Sequence, residues 1–191
     1  MSFHFYLGKK SELSPLLIFK PAYMRPDLSR VPSFYHNYIS HVSQDDLLEA
    51  FNAQTPAFIH FLESISPSKY DYRYAEGKWT IKEVLQHVTD AERVFAYRAL
   101  RFARKDPTFL PGFDENAFAE NAKADKRDWN NLVEEFKVVR MSSEYLFASF
   151  DHDQLDASGT ANNNSVYVLG IGFLLVGHSL HHMKVIKERY L

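Results

Sequence analysis

Apolar residues recur at helical spacing in four segments of this chain, and the first two segments carry clear start signals. The first follows Ser43, where Ser-Gln-Asp-Asp offers an N-cap with acidic residues in the first turn, and it should end before Pro67. The second follows Thr80, which has Glu83 at the spacing of a capping box. The patterns predict amphipathic helices over about residues 43–66, 81–104, 128–150 and 165–190.

The segments between the predicted helices are polar or contain proline and glycine. Residues 105–126 include Pro107, Pro111 and Gly112 and are long for a bundle connection, so we expect them to cover a site. Residues 151–164 form a polar connection, and no strand alternation competes with the helical pattern. Four amphipathic helices bury their stripes most economically against one another, so the predicted fold is all-α, a four-helix bundle whose connectivity stays open.

Residues 1–42 lack a sustained hydrophobic period. This stretch contains four prolines, which predict an irregular N-terminal arm that lies on the main domain or on a partner. Met24 could be the biological start. We therefore divide the chain into an arm at residues 1–42 and a four-helix-bundle domain at residues 43–191.

Composition and charge narrow the class of protein. The chain has 191 residues, of which 46% are hydrophobic and 24% charged, enough for one folded domain. Its formal net charge of -2 lacks the positive surplus of a nucleic-acid-binding protein. The longest apolar run, residues 166–176, is interrupted by Gly170 and Gly172, and the N-terminus lacks a secretory signal. We expect a cytoplasmic protein that does not enter the membrane.

Histidines are the candidate metal ligands, because the chain has no cysteine. His178 and His182 are four residues apart in an apolar helical segment, which puts both imidazoles on one face about one turn apart. Two such imidazoles can bind one divalent ion at about 2.0–2.2 Å per Zn–N bond. The alternative is a pair on a solvated face. Gly177 weakens the helix here, so we expect close helix contact or space beside the metal.

A third ligand has to come from another segment, and His87 is the best choice because it lies between Val84 and Ala91 on an inward helix face. An inward histidine can instead be a core side chain bonded to a backbone carbonyl. Three buried imidazoles without a metal, however, would leave several polar atoms unpaired. His181 fits less well and is expected at the surface or behind the ligands. The other histidines are interpreted as surface or packing residues: His4, His36, His41, His60 and His152.

Charged residues near these histidines have structural and functional interpretations. Asp90, three residues after His87, could orient a ligand imidazole or accept a proton from a bound substrate, and it is the predicted catalytic residue. Glu92 and Arg93 are predicted to pair on the bundle surface. The arginines that follow either form a solvated stripe or bind an anion: Arg98, Arg101 and Arg104.

Several blocks of the sequence, among them GKWTIKEVLQH at residues 77–87 and GHSLHH at residues 177–182, resemble the DinB/YfiT-like family of metal-dependent bacterial proteins. The resemblance covers roughly residues 24–191, and residues 1–23 have no counterpart. The blocks are residues 77–87 (GKWTIKEVLQH), 90–93 (DAER), 101–106 (RFARKD), 110–115 (LPGFDE) and 177–182 (GHSLHH).

The resemblance implies a four-helix bundle in which His87, His178 and His182 bind a metal. Three neutral imidazoles leave positions open on Zn, Ni, Fe or Mn, as in a catalytic site. Family members are similar to thiol-dependent transferases and isomerases or to metal-dependent hydrolases, and homodimers are common. We expect a metalloenzyme acting on a small molecule, with a low-molecular-weight thiol as a further partner and Asp114 or Glu115 assisting proton transfer. The alternative is a non-catalytic stress-response bundle that binds metal or a small ligand.

Overall fold

The computed structural model describes residues 25–191, so Met24 and residues 1–23 of the predicted arm lie outside the described residues. The described chain forms seven α-helices and a two-stranded hairpin, with 3-10 turns at Leu28–Arg30, Ser33–Tyr35, Pro67–Lys69 and Ala124–Lys126. The helices are α1 His36–Ser40, α2 Leu47–Ser64, α3 Ile81–Ala103, α4 Glu115–Ala122, α5 Trp129–Ala148, α6 His152–Asp156 and α7 Val168–Arg189. The strands are β1 Ser158–Ala161 and β2 Asn164–Tyr167.

Four long helices, α2, α3, α5 and α7, form the bundle and confirm the predicted fold class. Both α2 and α3 pack against α5 and α7, so α2 and α3 occupy opposite corners although they follow one another in the chain. By length and composition α7 could cross a membrane, but 67% of its most apolar window is buried inside the bundle. Burial of this kind is what the core helix of a bundle shows.

The helix starts follow from side-chain caps. Thr80 and Glu83 form the predicted capping box: the Thr80 Oγ1 accepts from the Glu83 N–H at 3.2 Å, and the Glu83 carboxylate accepts from the Thr80 N–H at 2.6 Å. Asp128 caps α5. The first bundle helix is capped by Asp46, three residues after the predicted start near Ser43.

The hairpin was not predicted, since a polar connection and a helix start were expected at residues 158–167. β1 and β2 pair antiparallel, with Ala161 opposite Asn164. Asn162 and Asn163, between the strands, have φ values of 50° and 60°. A two-residue hairpin turn requires positive φ at both positions, which asparagine tolerates. These asparagines therefore form a turn rather than a helix cap, and α7 begins at Val168.

The described part of the N-terminal arm packs on the bundle. Ile39 of α1 and Val42 are buried, and α1 packs against α7. A Cβ at Gly177 would overlap the backbone carbonyl of Tyr38, so glycine allows the α1 backbone to touch α7. Of the two expectations for Gly177, close helix contact is the one that the structure shows. The division of the chain into an arm at residues 1–42 and a domain at residues 43–191 stays a prediction.

The long connection between α3 and α5 is partly helical and is attached to the hairpin. Asp114 caps α4, which packs against α3. Leu110 donates its N–H to the Thr160 carbonyl at 3.0 Å, and its own carbonyl accepts from the Asn162 N–H at 3.0 Å. Backbone hydrogen bonds therefore hold the start of this connection beside α3.

Candidate metal centre

Two bundle helices bring three histidines together. α3 carries His87, and α7 carries His178 and His182 one turn apart. The Nε2 atom of His178 lies 3.2 Å from the Nε2 of His87 and 3.1 Å from the Nε2 of His182. Each histidine offers one ring nitrogen, and all three nitrogens lie within 4.8 Å of one another. The predicted residues thus converge, although a bound metal stays a prediction.

Aromatic side chains surround this histidine cluster and limit its exposure. His87 and His178 are 6% and 7% exposed, and His182 is partly buried. The Trp79 ring centroid lies 4.8 Å from that of His87. The rings of Tyr38 and Phe95 lie 5.4 and 6.2 Å from the ring of His178. The cluster therefore sits in a mainly apolar environment.

Burial keeps the three imidazoles neutral. It lowers the pKa of His87 to about 4. Burial also holds the pKa of His178 well below its usual range, and the neighbouring His182 and His87 lower it further. The pKa of His182 is well below the usual range for the same reason, with a further contribution from His87. Near pH 7 each ring therefore has a nitrogen lone pair available to a cation.

The donor set fits a divalent ion better than it fits mutual hydrogen bonding. Nitrogens that share a tetrahedral ion at about 2.0–2.1 Å lie roughly 3.3–3.4 Å apart, close to the two separations at His178. Without a cation, the single site on the His178 Nε2 faces two other ring nitrogens and cannot bond well to both. In addition, the buried Nδ1 of His182 has no hydrogen-bond partner among the described residues.

Asp90, the predicted catalytic residue, lies in a polar network beside the cluster. Its Oδ1 accepts from Gln86 at 3.0 Å and from Arg93 at 3.3 Å. Burial raises the pKa of its carboxyl, while Gln86 and Arg93 lower it. Within the described chain, its recorded hydrogen bonds go to these two side chains and not to an imidazole. Its catalytic role stays a prediction.

The other two acidic candidates lie at the start of α4. Asp114 uses its carboxylate to cap that helix. Burial raises the pKa of the Tyr38 phenol, and the negative charge of Glu115 raises it further. A role of Asp114 or Glu115 in proton transfer stays a prediction.

The predicted surface pair of Glu92 and Arg93 is wrong. Glu92 is 1% exposed and binds Arg140 of α5 through both carboxylate oxygens, at 2.7 and 2.8 Å. Arg93 instead binds Asp90 and, at 2.7 Å, Glu135. The spacing of apolar residues could not identify Arg140 as the partner of Glu92, because Arg140 becomes buried only when α5 packs against α3.

The predicted solvated arginine stripe is also wrong at one position. Arg98 is 5% exposed and donates to the Pro111 carbonyl at 3.0 Å. Arg101 pairs with Asp106, and the exposed Arg104 guanidinium lies 5.7 Å from the Phe150 ring centroid.

Sequence reasoning did not assign Tyr38, Trp79 and Phe95 to the site. Tyr38 comes from the arm, where no period indicated a helix, and only the glycine before His178 indicated a close neighbour. Its ring also lies 4.9 Å from that of His181, whose own ring is 5.2 Å from the ring of His182.

Comparisons with known proteins agree with this architecture. A family model described as the DinB superfamily matches residues 50–186. YfiT from Bacillus subtilis, described as "a probable metal-dependent hydrolase with an unusual four-helix bundle topology", is similar with a TM-score of 0.63 and 20% identity, covering 86% of this chain and 90% of that chain. A mycothiol-dependent maleylpyruvate isomerase is similar with a TM-score of 0.58 and 13% identity, covering 75% of this chain and 59% of that chain. No curated protein matches significantly. At these identities the two structures show the fold alone.

Proposed function

The chain belongs to the DinB superfamily, and from that premise we propose that the protein is a metal-dependent enzyme acting on a small molecule. One observation carries the proposal: three neutral imidazoles from two helices, two of them buried and one partly buried, converge within 4.8 Å. Three such ligands leave coordination positions open, which is typical of catalytic rather than structural metal sites.

His87, His178 and His182 would hold the ion, for which Zn, Ni, Fe and Mn are the candidates. When bound, the ion would supply a nucleophile near neutral pH by lowering the pKa of a water or a thiol. The aromatic rings of Trp79 and Tyr38 exclude solvent from two sides of the cluster. Exclusion of water strengthens electrostatic interactions with a bound substrate.

Two reaction classes fit this arrangement: hydrolysis, and transfer or isomerisation that uses a low-molecular-weight thiol. The similar structures support one class each, because YfiT is described as a metal-dependent hydrolase and the isomerase as mycothiol-dependent. Both classes use the same open positions beside the three histidines. We propose a small-molecule substrate in either case.

The first test is the metal content of protein purified without added metal. We expect about one divalent ion per chain in the wild type and in His60→Ala, whose side chain is exposed on α2. The double variant His178→Ala/His182→Ala should hold almost none. Equal, low metal content in all three proteins would overturn the metal centre.

The second test is turnover by the metal-loaded protein. The wild type and the double variant are screened with ester and amide substrates. In a separate screen, both proteins receive a thiol cosubstrate together with an electrophile. We expect turnover in one class that the double variant lacks. A protein that holds its metal but turns over no substrate would support the binding bundle instead.

A further inference from the structure

The interior contains an arginine whose charge is not balanced. Three charged side chains are buried among the described residues, namely Glu92, Arg98 and Arg140. Glu92 and Arg140 pair with one another at 2.7 Å. Arg98 has no carboxylate within 4.0 Å in the described part of the chain, whereas Arg93 and Arg101 on the same helix do. A buried, unpaired guanidinium is costly and calls for an explanation.

Among the described residues, Arg98 is next to a backbone carbonyl, the Tyr35 side chain and two aromatic rings, but not to a carboxylate. Its Nη2 donates to the Pro111 carbonyl at 3.0 Å, and its guanidinium lies 5.7 Å from the Phe95 ring centroid and 6.0 Å from that of Phe113. Burial lowers the pKa of Arg98, while the adjacent Tyr35 raises it. An arginine nevertheless stays protonated in proteins, so the group is a fixed positive charge.

Attachment of the loop does not explain this residue. Leu110 already holds the same stretch through two backbone hydrogen bonds of 3.0 Å to the hairpin. A single bond to the Pro111 carbonyl would need only a neutral donor. The positive charge has no carboxylate partner among the described residues and is available to a carboxylate on a ligand.

Arg98 lies at a cleft with apolar walls. The cleft has a volume of about 330 Å³ and lies between α3 and the loop, lined by Val94, Tyr97, Leu110, Pro111 and Phe113, with Arg93 at its edge. Arg93 is already bound to carboxylates. A molecule in this cleft would therefore meet an apolar surface and one available guanidinium.

The cleft and the histidine cluster both use side chains of α3. Arg98 follows His87 by three helical turns, on nearly the same face and about 16 Å further along the axis. The Phe95 ring lies beside both, 6.2 Å from the ring of His178 and 5.7 Å from the Arg98 guanidinium. Arg98 thus belongs to the side of α3 that carries the metal centre.

We propose that Arg98 binds the carboxylate group of a small organic acid whose apolar part lies in this cleft. That this acid is the substrate or the thiol cosubstrate rests on the function proposed above. A planar guanidinium matches a carboxylate with two parallel hydrogen bonds. A phosphate dianion is a poorer match, because one arginine supplies only part of the donors and charge that it needs.

The test is calorimetric titration of the metal-free protein with 3-phenylpropanoate and with its neutral amide, 3-phenylpropanamide. In the wild type the acid should bind at least about tenfold more tightly than the amide, as expected for charge-assisted hydrogen bonds. Arg98→Met should lose this preference, and Arg98→Lys should keep part of it because lysine retains the charge but not the fork. Arg104→Met is the matched control and should behave like the wild type, because Arg104 is exposed at the end of α3 and does not line the cleft.

Each other outcome overturns the inference. Absence of binding, equal binding of acid and amide, or a preference that survives in Arg98→Met would show that Arg98 does not hold a carboxylate. Inorganic phosphate that competes as strongly as the acid would refute the carboxylate class. A large fall in the melting temperature of both Arg98→Met and Arg98→Lys would show a structural role instead. The titration uses metal-free protein, so its result does not depend on the metal centre. If the acid binds but the metal-content test fails, the proposed function is refuted and this inference stands.

Discussion

Two buried polar clusters lie side by side against α7, and they differ in whether the protein itself supplies the partner that their charges or lone pairs need. In one, Arg140 binds both oxygens of Glu92 and lies 3.3 Å from the Leu175 carbonyl and from the Ser179 hydroxyl. In the other, His87, His178 and His182 point ring nitrogens at one another. Ser179 directly follows His178, so the clusters are neighbours on α7.

The difference separates a structural network from a binding site. The Glu92 carboxylate finds its counter-charge within the protein. The Nη1 of Arg140 has no hydrogen-bond partner among the described residues, but the guanidinium lies 5.4 and 5.2 Å from the Phe51 and Phe136 ring centroids. The Nε2 atoms of the three histidines face one another, which a cation would resolve. We infer that the ion pair orients α7 against α3 and α5, and that the histidine cluster is left incomplete for a ligand.

Breaking the ion pair should have the largest effect on stability. Arg140→Met leaves Glu92 buried and unpaired, so we expect the free energy of unfolding to fall by about 3–5 kcal/mol. The double variant Glu92→Leu/Arg140→Met removes both charges and should regain most of this loss. Urea unfolding measures both. Lys137→Met, which breaks a partly exposed pair with Glu63, is the control and should cost less than about 1 kcal/mol. If the double variant is as unstable as Arg140→Met, Glu92 and Arg140 do not simply balance one another's charge.

The histidine cluster should show the opposite behaviour. Adding a divalent ion at 100 times its dissociation constant should raise the free energy of unfolding by about 2.7 kcal/mol. His178→Leu should abolish this gain, yet stay within about 1 kcal/mol of the metal-free wild type because it removes poorly paired polar atoms. Thermal unfolding with Zn²⁺, Ni²⁺ or Mn²⁺ measures the gain, with His60→Ala as the control that keeps it. A metal-free His178→Leu as unstable as Arg140→Met would make the cluster a structural network.

Acid should weaken the metal-free protein through the same cluster. His87 has a pKa of about 4 in the folded protein and about 6.5 when unfolded, so the unfolded chain takes up the proton first. Its contribution to stability is complete above pH 6.5 and is lost as the pH falls towards 4. His178 and His182 face it from α7 and shift in the same direction. Between pH 6.5 and 5.5 we expect His87 to account for a loss of about 1 kcal/mol.

Urea unfolding at both pH values, in wild type and His87→Gln, measures this loss. The variant should lose about 1 kcal/mol less than the wild type over the same interval. Identical losses would mean that the imidazole of His87 is not held neutral by burial.

The sequence predicted those features that depend on local spacing. The four bundle helices follow from periodic apolar residues, and the capping box at Thr80 follows from two residues three positions apart. The convergence of His178 and His182 needs only one helical turn. His87 could be added because its inward face was readable from Val84 and Ala91.

The remaining features depend on partners far away in the sequence. Glu92 and Arg98 look like surface residues on α3 until α5 and the loop at Pro111 pack over them. Tyr38 reaches the histidines only because α1 docks on α7. The hairpin was a local miss, since consecutive asparagines signal a turn as well as a helix cap.

The smallest effect concerns Asp90, which belongs to neither of the two buried clusters. Its carboxylate bonds to Gln86 and Arg93, and the Arg93 side chain is 47% exposed, so we expect Asp90→Asn to lower the free energy of unfolding by less than about 1 kcal/mol. Metal affinity should change by less than about tenfold, because Asp90 bonds to Gln86 and Arg93 and not to an imidazole, whereas losing a group that supports a metal ligand typically costs 10–100-fold. Urea unfolding and metal titration measure the two effects. If Asp90 accepts a proton from substrate, turnover should fall while metal affinity is kept; a larger loss of metal affinity would instead place Asp90 in direct support of a ligand imidazole.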